Sequence, residues 1–327
     1  MRTVEKISPT SLHLWETDRE QFYLRYLAEV RPEREPQSGA MAVGSSFDAF
    51  VKCSLHHHIF GNDGGGEYDL KTLVNKQVQN EEIRTWAWDA GKYVFDCYRT
   101  WGLYDILLEE LLQSEEDPRF EFELKGLIGD VPTTGKPDLW YKRNVQVVYD
   151  WKVNNYCSKN AASPKKFYKT CRDCWGPDQG KPTRGFKDGV VKAHPKYKEI
   201  DHFGHLIGDH WLEEVDKTWA DQLCIYSWLL GSEVGDSDVI VGLDQIACKP
   251  ADPPLIRVAQ HRCRVSKQWQ ESLYARLQAC WKTIQSGHIF DDLSREDSDA
   301  TCEVLDMPQP IGDEAFWSAV SKKEYRG

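Results

Sequence analysis

The sequence has no apolar run close to the roughly 20 residues that a membrane-spanning helix needs. The run at 225–230 is typical of the apolar stretches present, and it is far too short. The N-terminal segment also lacks the apolar core of a secretory signal. We therefore expect no membrane partner, no export and a cytoplasmic location.

The chain is poor in apolar residues, yet not poor enough to stay unfolded. Its mean hydropathy is −0.60 and 40% of its 327 residues are apolar, which excludes an intrinsically disordered protein. Without an export signal, its ten cysteines are predicted to be reduced and mostly buried. The length suits one enlarged α/β domain.

Positive charge is scarce overall, with 41 Lys and Arg against 52 Asp and Glu and a net charge of −11. Such an acidic chain argues against a general coat for nucleic acid. The segment 159–198 is an exception, because it holds eleven Lys and Arg against three Asp, a net charge of +8. The rest of the chain then carries −19, so any affinity for phosphates should be concentrated in this basic segment.

Hydrophobic periodicity predicts helices first and strands later. Helices are expected from Pro9 to about 30, around 40–51, over 78–113 with Gly91 and Gly102 as points where it bends or breaks, over 215–230 and over 266–285. Strands are expected at 120–125, 137–141, 145–153, 239–248 and 255–265. This order predicts an α/β fold of the restriction-endonuclease-like type, a mixed central β-sheet flanked by helices. We expect a single domain, 1–327, with a helical insertion at 57–119 and a basic irregular insertion at 154–213.

The chemistry is concentrated in one predicted hairpin. Asp150 and Lys152 are two apart and should face the same side of a strand, while Asp138 begins the neighbouring strand and can approach Asp150 across the ladder. Two carboxylates without a thiol or imidazole form a hard oxygen site suited to Mg²⁺ or Mn²⁺. The alternative is an Asp/Lys pair on the solvated face of an amphipathic hairpin. The apolar residues around Asp150 favour the metal site, because buried carboxylates need a partner.

The pair Pro137-Asp138 followed by Asp150-Trp151-Lys152 resembles the PD-(D/E)xK nuclease core. Four other segments are similar to its RecB-like branch, which includes lambda-type exonucleases: Ser8-Pro9-Thr10-Ser11 through Phe22 and Tyr26, Gly44-Ser45-Ser46-Phe47-Asp48, Gln222-Leu223-Cys224-Ile225-Tyr226, and Trp281 through Gly287-His288-Ile289-Phe290. The resemblance covers about 8–56, 120–153 and 216–304. In the second segment Asp48 stands where the family has histidine.

The resemblance implies a role for each matching residue. Asp138 and Asp150 would bind the metal, with the Trp151 carbonyl as a third ligand and Lys152 as the catalytic lysine. Asp48 would be a further metal ligand, since aspartate also binds hard cations.

The glutamine and tyrosine of the third segment are catalytic-site residues in this interpretation. Gln222 and Tyr226 would line the active site, where their spacing puts them on one helical face. The alternative for this pair is a core tyrosine beside a surface glutamine.

The basic insertion mixes cations with Phe167, Tyr168 and Trp175, a combination typical of surfaces that bind single-stranded or frayed nucleic acid. The predicted DNA-binding residues are Lys165, Lys166, Lys169, Arg172, Lys181 and Arg184. The alternative is a solvated loop.

The sequence gives weak support for a zinc ion and none for an iron–sulfur cluster. Cys171 and Cys174 have zinc-ligand spacing and His202 and His205 follow, but we expect ordinary thiols. No iron–sulfur cluster is expected, because the positions that carry its ligands in part of the branch hold Thr17-Asp18 early and only Cys302 late.

The resemblance implies a divalent-metal-dependent deoxyribonuclease of exonuclease type that hydrolyses phosphodiester bonds in DNA recombination, repair or phage DNA processing. It would act in a bacterium or a phage-infected host cell. Its partners would be DNA and a recombinase, helicase or single-strand-binding protein. One alternative is a non-catalytic nucleic-acid-binding subunit with the same fold. A sequence-specific restriction enzyme shares the core but is disfavoured by the Gln222–Tyr226 motif.

Overall fold

The computed structural model describes residues 1–33, 35–61, 66–100, 102–156, 190–193, 197–200, 205–208, 210–249, 255–290 and 292–307. The chain divides into two compact units. The terminal unit comprises Met1–Arg34 and Arg276–Gly327, and the central unit comprises Glu35–Ala275. Among the described helices, none combines the length and the apolar character that crossing a membrane would require.

The terminal unit begins with a helix that is shorter than predicted. Helix α1 (Pro9–Thr17) starts at a Ser8–Ser11 capping box, and it is followed by α2 (Arg19–Phe22) and a π-helical turn (Tyr23–Leu27). One continuous helix to about residue 30 is therefore wrong. Asp18 leaves the helical conformation, and its side chain accepts a hydrogen bond from the Gln21 amide to cap the second segment. Helix α10 (Arg295–Asp306) lies in the same unit.

The central unit holds the remaining elements. Its helices are α3 (Gly39–Phe60), α4 (Leu70–Gln77), α5 (Arg84–Thr100), α6 (Leu103–Leu112), α7 (Leu212–Val215), α8 (Lys217–Leu229) and the first part of α9 (Lys267–Ser286). Its strands are β1 (Arg119–Phe120), β2 (Leu124–Ile128), β3 (Val131–Gly135), β4 (Leu139–Arg143), β5 (Val145–Tyr156), β6 (Val190–Ala193), β7 (Tyr197–Ile200), β8 (His205–Gly208), β9 (Ile240–Lys249) and β10 (Leu255–Arg264).

Six strands form a mixed sheet in the order β1-β4-β5-β9-β10-β6. The β5–β9 and β10–β6 pairs are parallel, and the β1–β4, β4–β5 and β9–β10 pairs are antiparallel. Helices α3, α5 and α6 share an apolar core with one face of this sheet, and α8 contacts β5 as well as the β2–β3 hairpin. The predicted fold class, a mixed central sheet flanked by helices, is confirmed.

Gly91 has a packing role that the sequence does not reveal. The sequence predicts a bend or break here, but α5 runs through Gly91 from Arg84 to Thr100. A Cβ at this position would meet the Ser46 hydroxyl and would lie 2.7 Å from the Phe47 amide nitrogen. Gly91 therefore lets α5 approach the backbone of α3. The helix instead ends near Gly102, whose φ of 76° is left-handed and starts a new helix, α6.

Two glycine-to-alanine changes should separate helix propensity from packing. Gly44→Ala in α3 places its Cβ 4.0 Å from Val153 and should stabilise the fold by about 0.5–1 kcal/mol. Gly91→Ala should destabilise it by about 1–3 kcal/mol, because the methyl group overlaps α3. Denaturant unfolding of the two variants measures both changes, and equal effects would contradict the close α3–α5 contact.

Two strand predictions require correction. The predicted strand at 120–125 is split into β1 and β2, because Glu121 adopts a φ of 48° that ends the extended conformation. The insertion at 154–213 is not wholly irregular, since β5 extends to Tyr156 and the insertion contains β6, β7, β8 and the start of α7. β6 joins the edge of the main sheet beside β10, a non-local pairing that no local pattern indicates.

A cluster of charged and hydroxyl side chains lies on the face of the sheet that packs against α5 and α6. Arg262 on β10 is 8% exposed; its guanidinium lies 3.8 Å from Asp244 and 3.6 Å from Glu110. The Tyr98 hydroxyl donates to Asp244 at 2.6 Å, and the Tyr141 hydroxyl donates to Glu110 at 2.6 Å. Arg262 thus lies between the buried carboxylate of Asp244 and the partly exposed carboxylate of Glu110.

Candidate active site

The β4–β5 hairpin brings Asp138 and Asp150 together. Leu139 pairs with Tyr149, so the next position along the ladder sets Asp138 opposite Asp150. This approach agrees with the prediction from the hairpin. Tyr149 points into the apolar core, whereas Asp150 lies on the other face of β5. Because Asp150 is only 2% exposed, the alternative of a solvated hairpin face is wrong.

Asp150 is a buried carboxylate with few partners. Its Oδ2 lies 2.5 Å from the Lys152 ammonium, but neither of its oxygens accepts a well-formed hydrogen bond from a described residue. Burial raises the pKa of the Asp150 carboxyl well above its usual value, and the neighbouring Asp138 adds to that rise, although Lys152 opposes it. A cation at this point would supply the interaction that these oxygens lack.

Lys152 is connected to helix α8. Its ammonium donates to Gln222 Oε1 at 3.3 Å, and the Gln222 side-chain amide donates to the Tyr226 hydroxyl at 3.3 Å. Tyr226 is 7% exposed, and its ring lies against Gly135, where a Cβ would be 2.5 Å from Cδ1. The Gln222–Tyr226 pair therefore fixes the position of the Lys152 ammonium.

A second lysine, Lys52 on α3, lies at the same centre and was not predicted. Its side chain is 0% exposed, and its ammonium is 2.5 Å from Asp48, 2.9 Å from Asp138 and 3.7 Å from Glu121. Burial alone would lower the pKa of Lys52, but the carboxylates of Asp138 and Asp48 raise it above its usual value. Lys52 is therefore a permanent ammonium ion inside the site.

The carboxylates around Lys52 differ in their ease of ionisation. Burial raises the pKa of Asp48 to about 7, although the Lys52 ammonium acts in the opposite direction. Burial also opposes ionisation of Asp138, but the charge of Lys52 outweighs it and lowers the pKa of Asp138. Asp48 Oδ2 additionally accepts a hydrogen bond from Gln77 Nε2 at 2.8 Å. Of these two carboxyl groups that contact Lys52, Asp138 is thus the more readily ionised.

Of the two site residues that the sequence did not predict, Lys52 has a recognisable signal and Glu121 has none. Lys52 follows Asp48 by one helical turn, a salt-bridge spacing, and it interrupts an otherwise apolar helical stripe. Glu121 gave no usable signal, because its alternation with Phe120 and Phe122 is typical of a solvated strand face. Its left-handed φ of 48° instead turns the carboxylate towards Lys52 and to within 2.9 Å of Lys136.

The donor set is compatible with a hard divalent cation. By formal charge, four carboxylates outnumber the buried Lys52 and the partly exposed Lys152 that contact them, and the half-exposed Lys136 adds one positive charge on the solvent side. Within the described ranges no three carboxylate, imidazole or thiolate groups stand ready to hold a metal ion, and the three carboxylates that do converge, from Asp48, Asp138 and Glu121, enclose the Lys52 ammonium. A cation at Asp138 and Asp150 would then complete its coordination with water or carbonyl oxygen, as Mg²⁺ usually does.

Trp151 is a buried residue of β5, where it pairs with Asp244 of β9. Lys165, Lys166, Lys169, Arg172, Lys181 and Arg184 lie outside the described residues, as do Cys171 and Cys174. Among the cysteines whose side chains are described, Cys53, Cys97, Cys224, Cys263 and Cys280 are buried thiols and Cys302 is a partly exposed one, which fits the predicted reduced and mostly buried cysteines.

No family model matches the sequence, and no curated protein matches it. Two solved structures are similar to the chain. One, described as "Putative exonuclease" from Eubacterium rectale, is 13% identical, with 94% of this chain and 91% of that chain covered and a TM-score of 0.44. The other, SSO0001, is 14% identical, with 87% of this chain and 95% of that chain covered and a TM-score of 0.23. Both TM-scores are too low to bear on function.

Proposed function

We propose that the chain is a divalent-metal-dependent deoxyribonuclease of the PD-(D/E)xK superfamily, in its RecB-like, lambda-type exonuclease branch. The observation that supports this most strongly is the convergence of Asp138, Asp150 and Lys152, with Gln222 bound to the lysine and Tyr226 bound to Gln222. These residues come from the start of β4, from β5 and from α8. A solvated hairpin pair would not need the α8 contacts.

The proposal assigns each residue a part in phosphodiester hydrolysis. Asp138, Asp150 and the Trp151 carbonyl would hold Mg²⁺ or Mn²⁺, and the resemblance adds Asp48 to this set. The bound ion would polarise the phosphate and lower the pKa of an attacking water. Lys152, held between Asp150 and Gln222, would orient that water and stabilise charge on the phosphate.

Digestion of end-labelled linear and circular DNA with Mg²⁺, Mn²⁺ or EDTA tests the proposal. We expect label to be released from linear DNA with either ion and not in EDTA, with circular DNA resistant if the enzyme needs an end. DNA that stays intact under every condition would reject a nuclease. Binding without cleavage would instead support a non-catalytic nucleic-acid-binding subunit, an alternative favoured by Asp48 and its lysine partner in place of the family's histidine.

DNA would be the substrate, reached along the basic insertion that follows Lys152 in the chain. Replacing Lys165, Lys166 and Lys169 with alanine should weaken DNA binding. It should also lower the salt slope by about 0.7–0.9 for each phosphate that the variant no longer neutralises. A salt titration of affinity in the inactive Asp150→Asn background measures both effects.

The matched control replaces three exposed lysines elsewhere in the central unit: Lys76, Lys92 and Lys125. Both triple variants lose the same charge, so only a local phosphate track makes the first one weaker. Equal slopes would place the DNA path outside this segment.

The biological setting is part of the same proposal. An exonuclease of this branch would serve recombination, repair or phage DNA processing, beside a recombinase, helicase or single-strand-binding protein.

A further inference from the structure

The Lys52 ammonium is surrounded as a metal ion would be. Three carboxylates, from Asp48, Asp138 and Glu121, converge on Nζ from three different parts of the chain, and the lysine side chain is fully buried. Surface ion pairs leave the ammonium in water, as at Lys92 and Asp96, where both side chains are about half exposed. Lys52 has no such access, so its charge serves only these three anions.

We propose that Lys52 takes the place of a second cation, so that the centre binds one divalent ion, at Asp138 and Asp150, and not two. The identity of the ion, Mg²⁺ or Mn²⁺, rests on the proposed function. The position of Asp138 is decisive, because it faces Lys52 on one side and Asp150 on the other. Asp150 Oδ2 faces the Lys152 ammonium, but its buried Oδ1 accepts no hydrogen bond from a described residue and is therefore open to a cation.

Electrostatic repulsion favours a centre with one divalent ion and the Lys52 ammonium over a centre with two divalent ions. A divalent ion among Asp48, Asp138 and Glu121 would lie against the buried ammonium of Lys52, and the two like charges would repel each other at close range. Lys52 cannot move its charge into solvent, since no part of the side chain is exposed. Asp48, which also accepts a hydrogen bond from Gln77, would then act on the metal by holding Lys52, and not by the direct coordination that the resemblance implies.

Counting bound Mn²⁺ by electron paramagnetic resonance and calorimetry, without DNA, tests this inference. We expect one ion per chain in the parent. In Lys52→Met, which keeps the length of the side chain but removes its charge, the three freed carboxylates should bind a second ion. Lys136→Met is the matched control, because Lys136 also pairs with Glu121 but is half exposed, and it should keep one ion.

Two ions in the parent would overturn the inference, and this count does not depend on whether Lys52→Met folds. One ion in a folded Lys52→Met would overturn it as well. Neither result touches the proposed function if the parent cleaves DNA with Mn²⁺. A parent that binds no Mn²⁺ and cleaves no DNA would instead reject the proposed function.

Discussion

Asp150→Asn and Lys152→Ala should each reduce DNA cleavage by at least about 100-fold, the scale of losing a principal electrostatic element of an active site. Asparagine keeps the shape of Asp150 but removes the charge that would bind the cation. Alanine removes the ammonium that lies between Asp150 and Gln222. Single-turnover digestion of end-labelled DNA with Mn²⁺ measures both losses, and parent-like rates in either variant would show that the chemistry lies elsewhere.

The unfolding temperature of Asp150→Asn distinguishes a chemical role of Asp150 from a structural role. Because burial raises the pKa of this carboxyl, the ionised carboxylate destabilises the folded state at neutral pH. Asp150→Asn should therefore unfold in EDTA at a temperature no lower than the parent does, although it is inactive. Lys142→Ala, an exposed change on the same hairpin, is the control and should keep both activity and stability.

Arg262→Met should lower the free energy of unfolding by about 3–5 kcal/mol, the cost of removing one partner from a buried ion pair. The loss arises because Asp244, which is 0% exposed, would keep a charge without its cation, and Glu110 would lose the same neighbour. Denaturant unfolding followed by tryptophan fluorescence measures the change.

Two controls define what that loss means. Lys92→Ala breaks a half-exposed pair with Asp96 and should change the free energy of unfolding by about 0.5 kcal/mol or less. Adding Asp244→Asn to Arg262→Met removes the unpaired charge and should recover part of the stability. A loss below about 1 kcal/mol for the single variant would contradict the buried cluster.

The parts of the site set by short-range patterns could be predicted from the sequence. Alternation along β5 places Asp150 and Lys152 on one face, and the length of the β4–β5 turn fixes Asp138 opposite Asp150. The spacing of Gln222 and Tyr226 likewise puts them on one side of α8, where they do contact each other. In each case the period of one element, or one short turn, determines the geometry.

The parts that depend on long-range packing could not be predicted. Lys52 reaches Asp138 across 86 positions of sequence, and its burial follows from how α3 lies against the sheet. Glu121 leaves the strand conformation because tertiary contacts with Lys52 and Lys136 stabilise a backbone angle that local preference disfavours. Arg262 meets Asp244 only after β9 and β10 pair.

Most centrally, we propose that Asp138 and Asp150 bind one catalytic cation, and that the ammonium of Lys52 occupies the place of a second cation beside it. The most direct measurement is anomalous diffraction from crystals soaked in Mn²⁺ at a concentration that supports DNA cleavage. The account predicts a single Mn²⁺ peak bound by Asp138 and Asp150, with the Lys52 ammonium still between Asp48 and Asp138. A peak at the Lys52 position, or none at the two carboxylates, would contradict it.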